Sequence, residues 1–186
     1  MNIDPATNRI DSVPYRRSPN CDQRPPETRI ELVVIHSISL PPGEFGGTAI
    51  ERFFTNELDP AEHPYFETIQ DLRVSAHVVI YRDGSVKQFV PFDRRAWHAG
   101  ESRFGDRRRC NDFSIGIELE GTDTAPYTSV QYERLGQVLQ AIKRAYPSVH
   151  AVRGHVDIAP GRKSDPGPAF DWGQLSSRLP EGMGMA

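Results

Sequence analysis

The residues best equipped for chemistry lie far apart in the 186-residue chain: His36, Glu118, and a loop over residues 154–172 that carries His155, Lys163 and Asp165. In that loop Pro160, Pro166 and Pro168, with Gly161 and Gly167, exclude a regular helix, because proline lacks an N–H and glycine favours loop geometry. Side chains two apart in an extended segment point the same way, which puts Lys163 and Asp165 on one face. A neutral imidazole and a carboxylate in one loop offer two zinc ligands, His155 and Asp165, and a third must come from elsewhere. His36 is the candidate. It ends an apolar run, and sites in open α/β sheets collect just beyond the carboxyl ends of strands.

Three protein ligands leave a fourth position for water, the arrangement of catalytic rather than structural zinc. Such a metal brings the pKa of its water from about 15.7 toward about 7 and polarises a carbonyl. Glu118 would accept the water's proton and return it to a leaving amine. Lys163 would set an ammonium near the oxygen where negative charge develops. The parts describe amide hydrolysis by one zinc ion per chain. Ordinary alternatives stand beside this reading. A histidine can simply cap a core strand, and an acid can simply be solvated on a strand face. No HExxH motif ties the ligands together, and Asp157 or Cys110 could close a purely structural site.

The elements that must position these groups follow from hydrophobic period and turn residues. Residues 30–35, Ile-Glu-Leu-Val-Val-Ile, predict a buried strand. Residues 48–55 predict a short helix, and residues 59–72 a long connection in which His63 is a surface residue. Residues 74–81 and 86–90 predict a hairpin about Asp83-Gly84. On its first strand His77 shares the more polar face, the one turned toward the site. Trp97-His98 in the next loop is either an aromatic platform for a sugar or peptide, or a core tryptophan beside a satisfied neighbour. Residues 113–120 alternate: Phe113, Ile115, Ile117 and Leu119 face the core, and Ser114, Gly116, Glu118 and Glu120 face away. Gly116 leaves space beside Glu118 for another group to approach closely. Glu120 reads as a solvated acid. Residues 129–146 predict the clearest helix, 149–153 a short strand, and 171–179 a final helix with Asp171 as N-cap. The fold class is α/β: a single domain with a mixed central sheet flanked by helices.

The net charge of -3, with both signs interspersed, points to neither nucleic acid nor an anionic membrane as partner. The one basic cluster, Arg103, Arg107, Arg108 and Arg109, is either a solvated loop or a contact for an anionic substrate group. The start lacks an apolar signal-peptide core, and Cys21 and Cys110 form no metal or redox motif, so a cytoplasmic protein with free thiols is expected. The expected organisation is an irregular arm over 1–28, a catalytic domain over 29–179 and a tail over 180–186.

Five stretches carry a resemblance: Val-Val-Ile-His-Ser-Ile-Ser-Leu-Pro-Pro-Gly-Glu-Phe-Gly-Gly, Arg73-Val-Ser-Ala-His77, Pro-Phe-Asp-Arg-Arg-Ala-Trp-His-Ala-Gly, Cys-Asn-Asp-Phe-Ser-Ile-Gly-Ile-Glu-Leu-Glu-Gly-Thr-Asp, and the 154–172 loop. From about residue 10 to about 178 the chain resembles the zinc N-acetylmuramoyl-L-alanine amidases, the family that shares its fold with peptidoglycan recognition proteins, and within it the cytosolic enzymes of peptidoglycan recycling. The resemblance implies zinc held by His36, His155 and Asp165, Glu118 as proton acceptor and Lys163 as transition-state stabiliser. It implies a small anhydromuropeptide as substrate, with cleavage between the lactyl group and L-alanine, and an indirect effect on β-lactamase induction. It also implies that Arg73 and Arg109 contact the peptide's carboxylates and that Trp97 and His98 wall the substrate. A lytic amidase acting on intact wall and a non-catalytic binding module are the rivals; the second would be expected to lack a ligand, and here the set is complete.

Overall fold

The computed structural model describes residues 1–185. Its centre is a five-stranded sheet of β1 (Leu32–Ile38), β2 (Val78–Ile80), β3 (Val86–Gln88), β4 (Ser114–Glu120) and β5 (Ala151–Gly154). The spatial order is β5-β1-β4-β2-β3. All pairings are parallel except the β2–β3 hairpin, which is antiparallel about the Asp83-Gly84 turn. The mixed sheet is therefore the expected one, with its antiparallel strand at an edge.

One face is closed by helix α3 (Ser129–Ala145), whose Leu135, Val138, Leu139 and Ile142 pack against Val33, Ile35, Ile115, Ile117 and Leu119. The helix starts in a capping box: the Thr128 side chain accepts from Gln131 N, and the Gln131 side chain accepts from Thr128 N. The buried Gln131 amide also donates to the carbonyls of Ile80 and Glu120, tying the helix start to the carboxyl ends of β2 and β4. Tyr146 caps the other end, just before Pro147.

The opposite face is covered as well, which corrects two readings. Helices α1 (Ala49–Phe54) and α2 (Pro64–Ile69) pack through Phe54, Phe66 and Ile69, and a second cluster gathers Leu32, Val34, Ala99, Cys110, Phe113 and Ile158. Ser114, Glu118 and Glu120 do face away from α3, but they are 0%, 9% and 2% exposed rather than solvated. Glu120 serves as a clamp, accepting from Gly46 N and Arg82 N. The second correction concerns β1, which runs on through Ile38 because its parallel register with β4 continues past His36. His36 thus lies within a strand.

The arm and tail are more structured than their composition predicted. Cys21–Gln23 pairs with Arg94–Ala96, Ile3–Asp4 pairs with Arg9–Ile10, and Ile10, Ser18 and Asn20 are buried. Arg24 reaches into the core and donates to the carbonyls of Phe92, Asn111, Asp112 and Ser114. At the other end Val152 N donates to Gly184 O and Gly184 N to His150 O, so the tail covers the β5 edge. The 59–72 connection holds a 3-10 turn and α2, with His63 as N-cap accepting from Tyr65 N.

Candidate active site

Parallel register assembles the first half of the site. Gly154 of β5 stands opposite Ile35 of β1, and His36 of β1 stands opposite Glu118 of β4. The residue after Gly154 is His155, so His155, just past the end of β5, sits beside His36 and Glu118 of the next two strands. They lie at the carboxyl end of the parallel sheet, on the face away from α3. Against the expectation of a pure loop, His155–Ile158 is one turn of helix, α4, in which the Asp157 side chain accepts from Gly154 N. The prolines and glycines act only afterwards, and they bring the chain back. Val156 N donates to Asp165 O at 2.9 Å, and the buried Tyr127 hydroxyl donates to Pro166 O at 2.8 Å. Asp165 is fixed from both sides.

The result is a closed triangle of donor atoms. His36 Nδ1 and His155 Nδ1 are 3.0 Å apart, and each is 3.1 Å from Asp165 Oδ2. Ligands at about 2.05 Å from a tetrahedral zinc lie about 3.3 Å from each other. Proton positions strengthen the fit. His155 Nε2 faces the Ala99 carbonyl at 3.1 Å, and a carbonyl only accepts, so in the neutral ring this nitrogen carries the proton and Nδ1 is bare. Burial holds the His36 imidazole down to about 4, so it is neutral. The donor set of two imidazoles and a carboxylate suits a divalent cation, and His36, His155 and Asp165 could hold one.

Glu118 stands beside this triangle in a cleft of about 440 Å³. Burial, and then the charge of Asp165, push its carboxyl well above the usual range, with Lys163 opposing. Its Oε2 is buried and has no hydrogen-bond partner among the described residues. Lys163 is exposed at the cleft's rim. The cleft continues away from the triangle along an apolar wall of Phe53, Tyr65, Ile69 and Leu72.

The remaining candidates fall elsewhere. His77 is fully buried, its Nδ1 accepting from Gly116 N and its Nε2 facing the Arg94 carbonyl, so it braces the sheet and does not face the cleft. Trp97 is half-buried and does not line the cleft, whereas its neighbour His98 does. Arg73 is exposed beside the cleft, its guanidinium turned back onto the carbonyls of Gln70 and Leu72. Arg109 is paired with Asp112 and lines a separate depression with Arg103, Arg108 and Arg162. The space at Gly116 is taken by His98: a Cβ there would meet His98 Cγ at 2.4 Å. Gly116→Ala is expected to cost about 1–3 kcal/mol by overpacking, as read from urea unfolding.

The profile of the N-acetylmuramoyl-L-alanine amidase family matches residues 26–168, more than half of the chain and all three donors. The chain belongs to this amidase family. It is 58% identical over 159 residues to the 1,6-anhydro-N-acetylmuramyl-L-alanine amidase AmpD of Escherichia coli (strain K12), covering 85% of this chain and 87% of that protein. The crystal structure of a selenomethionine AmpD derivative superposes with a TM-score of 0.94 at 51% identity, covering 97% of this chain and all of the other. AmpDh3 from Pseudomonas aeruginosa, solved in complex with anhydromuramic pentapeptide, has a TM-score of 0.60 at 30% identity, over 95% of this chain and 67% of that one. In this amidase, residues that sequence reasoning passed over do much of the positioning. Asn111 Oδ1 accepts from His98 N and Ala99 N, Arg162 donates to the Ala99 carbonyl, and Tyr127 holds Pro166. Each is a common polar type in a loop, with no spacing to mark it. No helix among the described residues is long and apolar enough to cross a membrane.

Proposed function

We infer that this protein hydrolyses the amide between the lactyl group of 1,6-anhydro-N-acetylmuramic acid and L-alanine of the stem peptide, in peptidoglycan recycling. The observation that supports it best is one cleft holding both an unpartnered buried carboxylate and three donors 3.0–3.1 Å apart, in a chain that matches its AmpD relatives over most of their length. His36, His155 and Asp165 would hold zinc. When bound, zinc lowers the pKa of water toward about 7 and polarises the scissile carbonyl.

The chain's own groups do the rest. Glu118 Oε2, free of other partners, takes the proton of the attacking water. It returns that proton to the alanine nitrogen as the C–N bond breaks. Lys163 places positive charge at the rim, where the carbonyl oxygen becomes negative. The apolar wall takes up the non-reacting part of the muropeptide, and Arg73, exposed beside the cleft, is a contact for the peptide's carboxylates once its guanidinium turns outward.

Lys163→Ala is expected to lower kcat by about 100- to 1000-fold with a smaller change in substrate binding, because it acts on charge that appears only in the transition state. Single-turnover and binding measurements separate the two. The test of the reading is hydrolysis of anhydromuramyl-tripeptide, before and after chelation and with zinc restored, beside intact peptidoglycan. Zinc-dependent release of tripeptide with little action on wall is the expected result. Binding without release, or preference for wall, would overturn it.

A further inference from the structure

One chain of hydrogen bonds behind His36 leads away from the cleft. His36 Nε2 lies 2.9 Å from His98 Nδ1, His98 Nε2 lies 3.1 Å from Ser114 Oγ, and Ser114 Oγ lies 2.5 Å from the Cys110 carbonyl oxygen. Every member is buried. A carbonyl oxygen can only accept, so the single hydroxyl proton of Ser114 goes to Cys110. Ser114 Oγ must then accept from His98 Nε2–H. A neutral imidazole has one N–H, so His98 Nδ1 is bare and accepts from His36 Nε2–H. That leaves His36 Nδ1 bare, facing the equally bare Nδ1 of His155 and the Asp165 carboxylate.

We propose that His98 and Ser114 are positioning residues, which fix the proton of His36 on Nε2 and so keep Nδ1 open as a metal donor; this rests on the metal reading given above. The same short segment serves both imidazoles, since His98 orients His36 through its ring and Ala99 orients His155 through its carbonyl. Asn111 anchors the segment by accepting from both of its N–H groups. Arg24 in turn holds the carbonyls of Asn111, Asp112 and Ser114. The ring of His98 has no freedom to leave, because it rests on the bare Cα of Gly116 in the central strand. Outer partners of this kind typically change metal affinity 10- to 100-fold when removed.

Ser114→Ala takes away the acceptor for His98 Nε2–H. The buried ring then gains by moving its proton to Nδ1, where it opposes His36 Nε2–H and drives the His36 proton onto the metal-facing nitrogen. His98→Leu leaves His36 Nε2–H without an acceptor. His98→Asn sets an amide oxygen close to where Nδ1 stood and keeps that acceptor. The experiment measures ring 15N shifts of the metal-free proteins, zinc affinity by chelator competition, and metal-free melting temperature. Expected are an Nε2-protonated His36 in the wild type, a shift of that proton toward Nδ1 in Ser114→Ala, and zinc affinity about 10- to 100-fold weaker in Ser114→Ala and His98→Leu. His98→Asn should stay within a few-fold of wild type. A merely structural role would lower melting without moving the His36 shifts. If Ser114→Ala does not fold, the His98→Leu and His98→Asn pair decides. Wild-type affinity in both Ser114→Ala and His98→Leu, or an Nδ1-protonated His36 in the wild type, overturns the proposal alone. A wild type with the deduced tautomer that binds no zinc removes the metal reading, and the proposal falls with it.

Discussion

Asp165→Asn should abolish turnover and zinc binding together while leaving a metal-free protein that melts no lower than wild type. The reason lies in the donor triangle. Two bare imidazole nitrogens and a carboxylate oxygen at 3.0–3.1 Å repel one another unless a cation joins them. Asparagine removes the charge, keeps the shape, and offers an N–H to one of the nitrogens. The polarisation lost with the metal amounts to several kcal/mol, and at about 1.4 kcal/mol per tenfold in rate, turnover should fall by roughly 1000-fold or more. Zinc should raise the melting temperature of the wild type, because a ligand that binds only the folded state stabilises it by mass action, and should not raise that of the variant. Calorimetry with and without zinc checks both halves. A variant that kept stoichiometric zinc and near wild-type rate would remove Asp165 from the donor set.

Glu118→Gln should keep zinc and lose turnover by about 100- to 10,000-fold, the usual contribution of a positioned acid or base. The wild-type rate should fall as pH drops through the pKa that Glu118 has in the zinc-loaded enzyme, because only the ionised form accepts a proton. Stability gives an independent readout. A carboxyl whose folded pKa lies above its unfolded value contributes stability below the unfolded pKa and loses it as pH rises through the folded one. In the metal-free state, therefore, wild type and Glu118→Gln should have similar stability at low pH. The glutamine variant should become the more stable of the two as pH rises through that transition. Denaturant unfolding across the pH range measures this, and parallel curves would mean that Glu118 is not a buried, strained acid.

Much of this was legible in the chain. The alternation over residues 113–120 placed Glu118 on the face away from Ile115, Ile117 and Leu119, and the structure keeps that division; Phe113, assigned to the same face as Ile115, instead packs with Leu32 and Val34 on the other side, because it ends the 3-10 turn before the strand begins at Ser114. Asp83-Gly84 marked the hairpin, Asp171 caps its helix, and the Thr128 side of α3 begins where the pattern begins. These features are local, so spacing and turn chemistry report them directly. Burial on both faces of β4 was not legible, because it depends on α1, α2 and the 97–113 segment arriving from elsewhere in the chain. His77 shows the same gap: alternation turned it toward the site, whereas the Gly116 N–H and the Arg94 carbonyl occupy its ring.

The sequence by itself determined the family, the mixed sheet and the residue types able to bind a metal and move a proton, since period, turn chemistry and side-chain identity are written residue by residue. Only the tertiary structure decided which of these meet. Strand register across β5, β1 and β4 sets His155, His36 and Glu118 abreast, and the bonds from Val156 and Tyr127 return Asp165 to them across intervals of 10 to 129 residues. Which nitrogen of each histidine is bare was likewise a tertiary matter, because the Ala99 carbonyl and the Ser114–His98 pair decide it, and a proton's place on an imidazole follows whatever faces its other nitrogen.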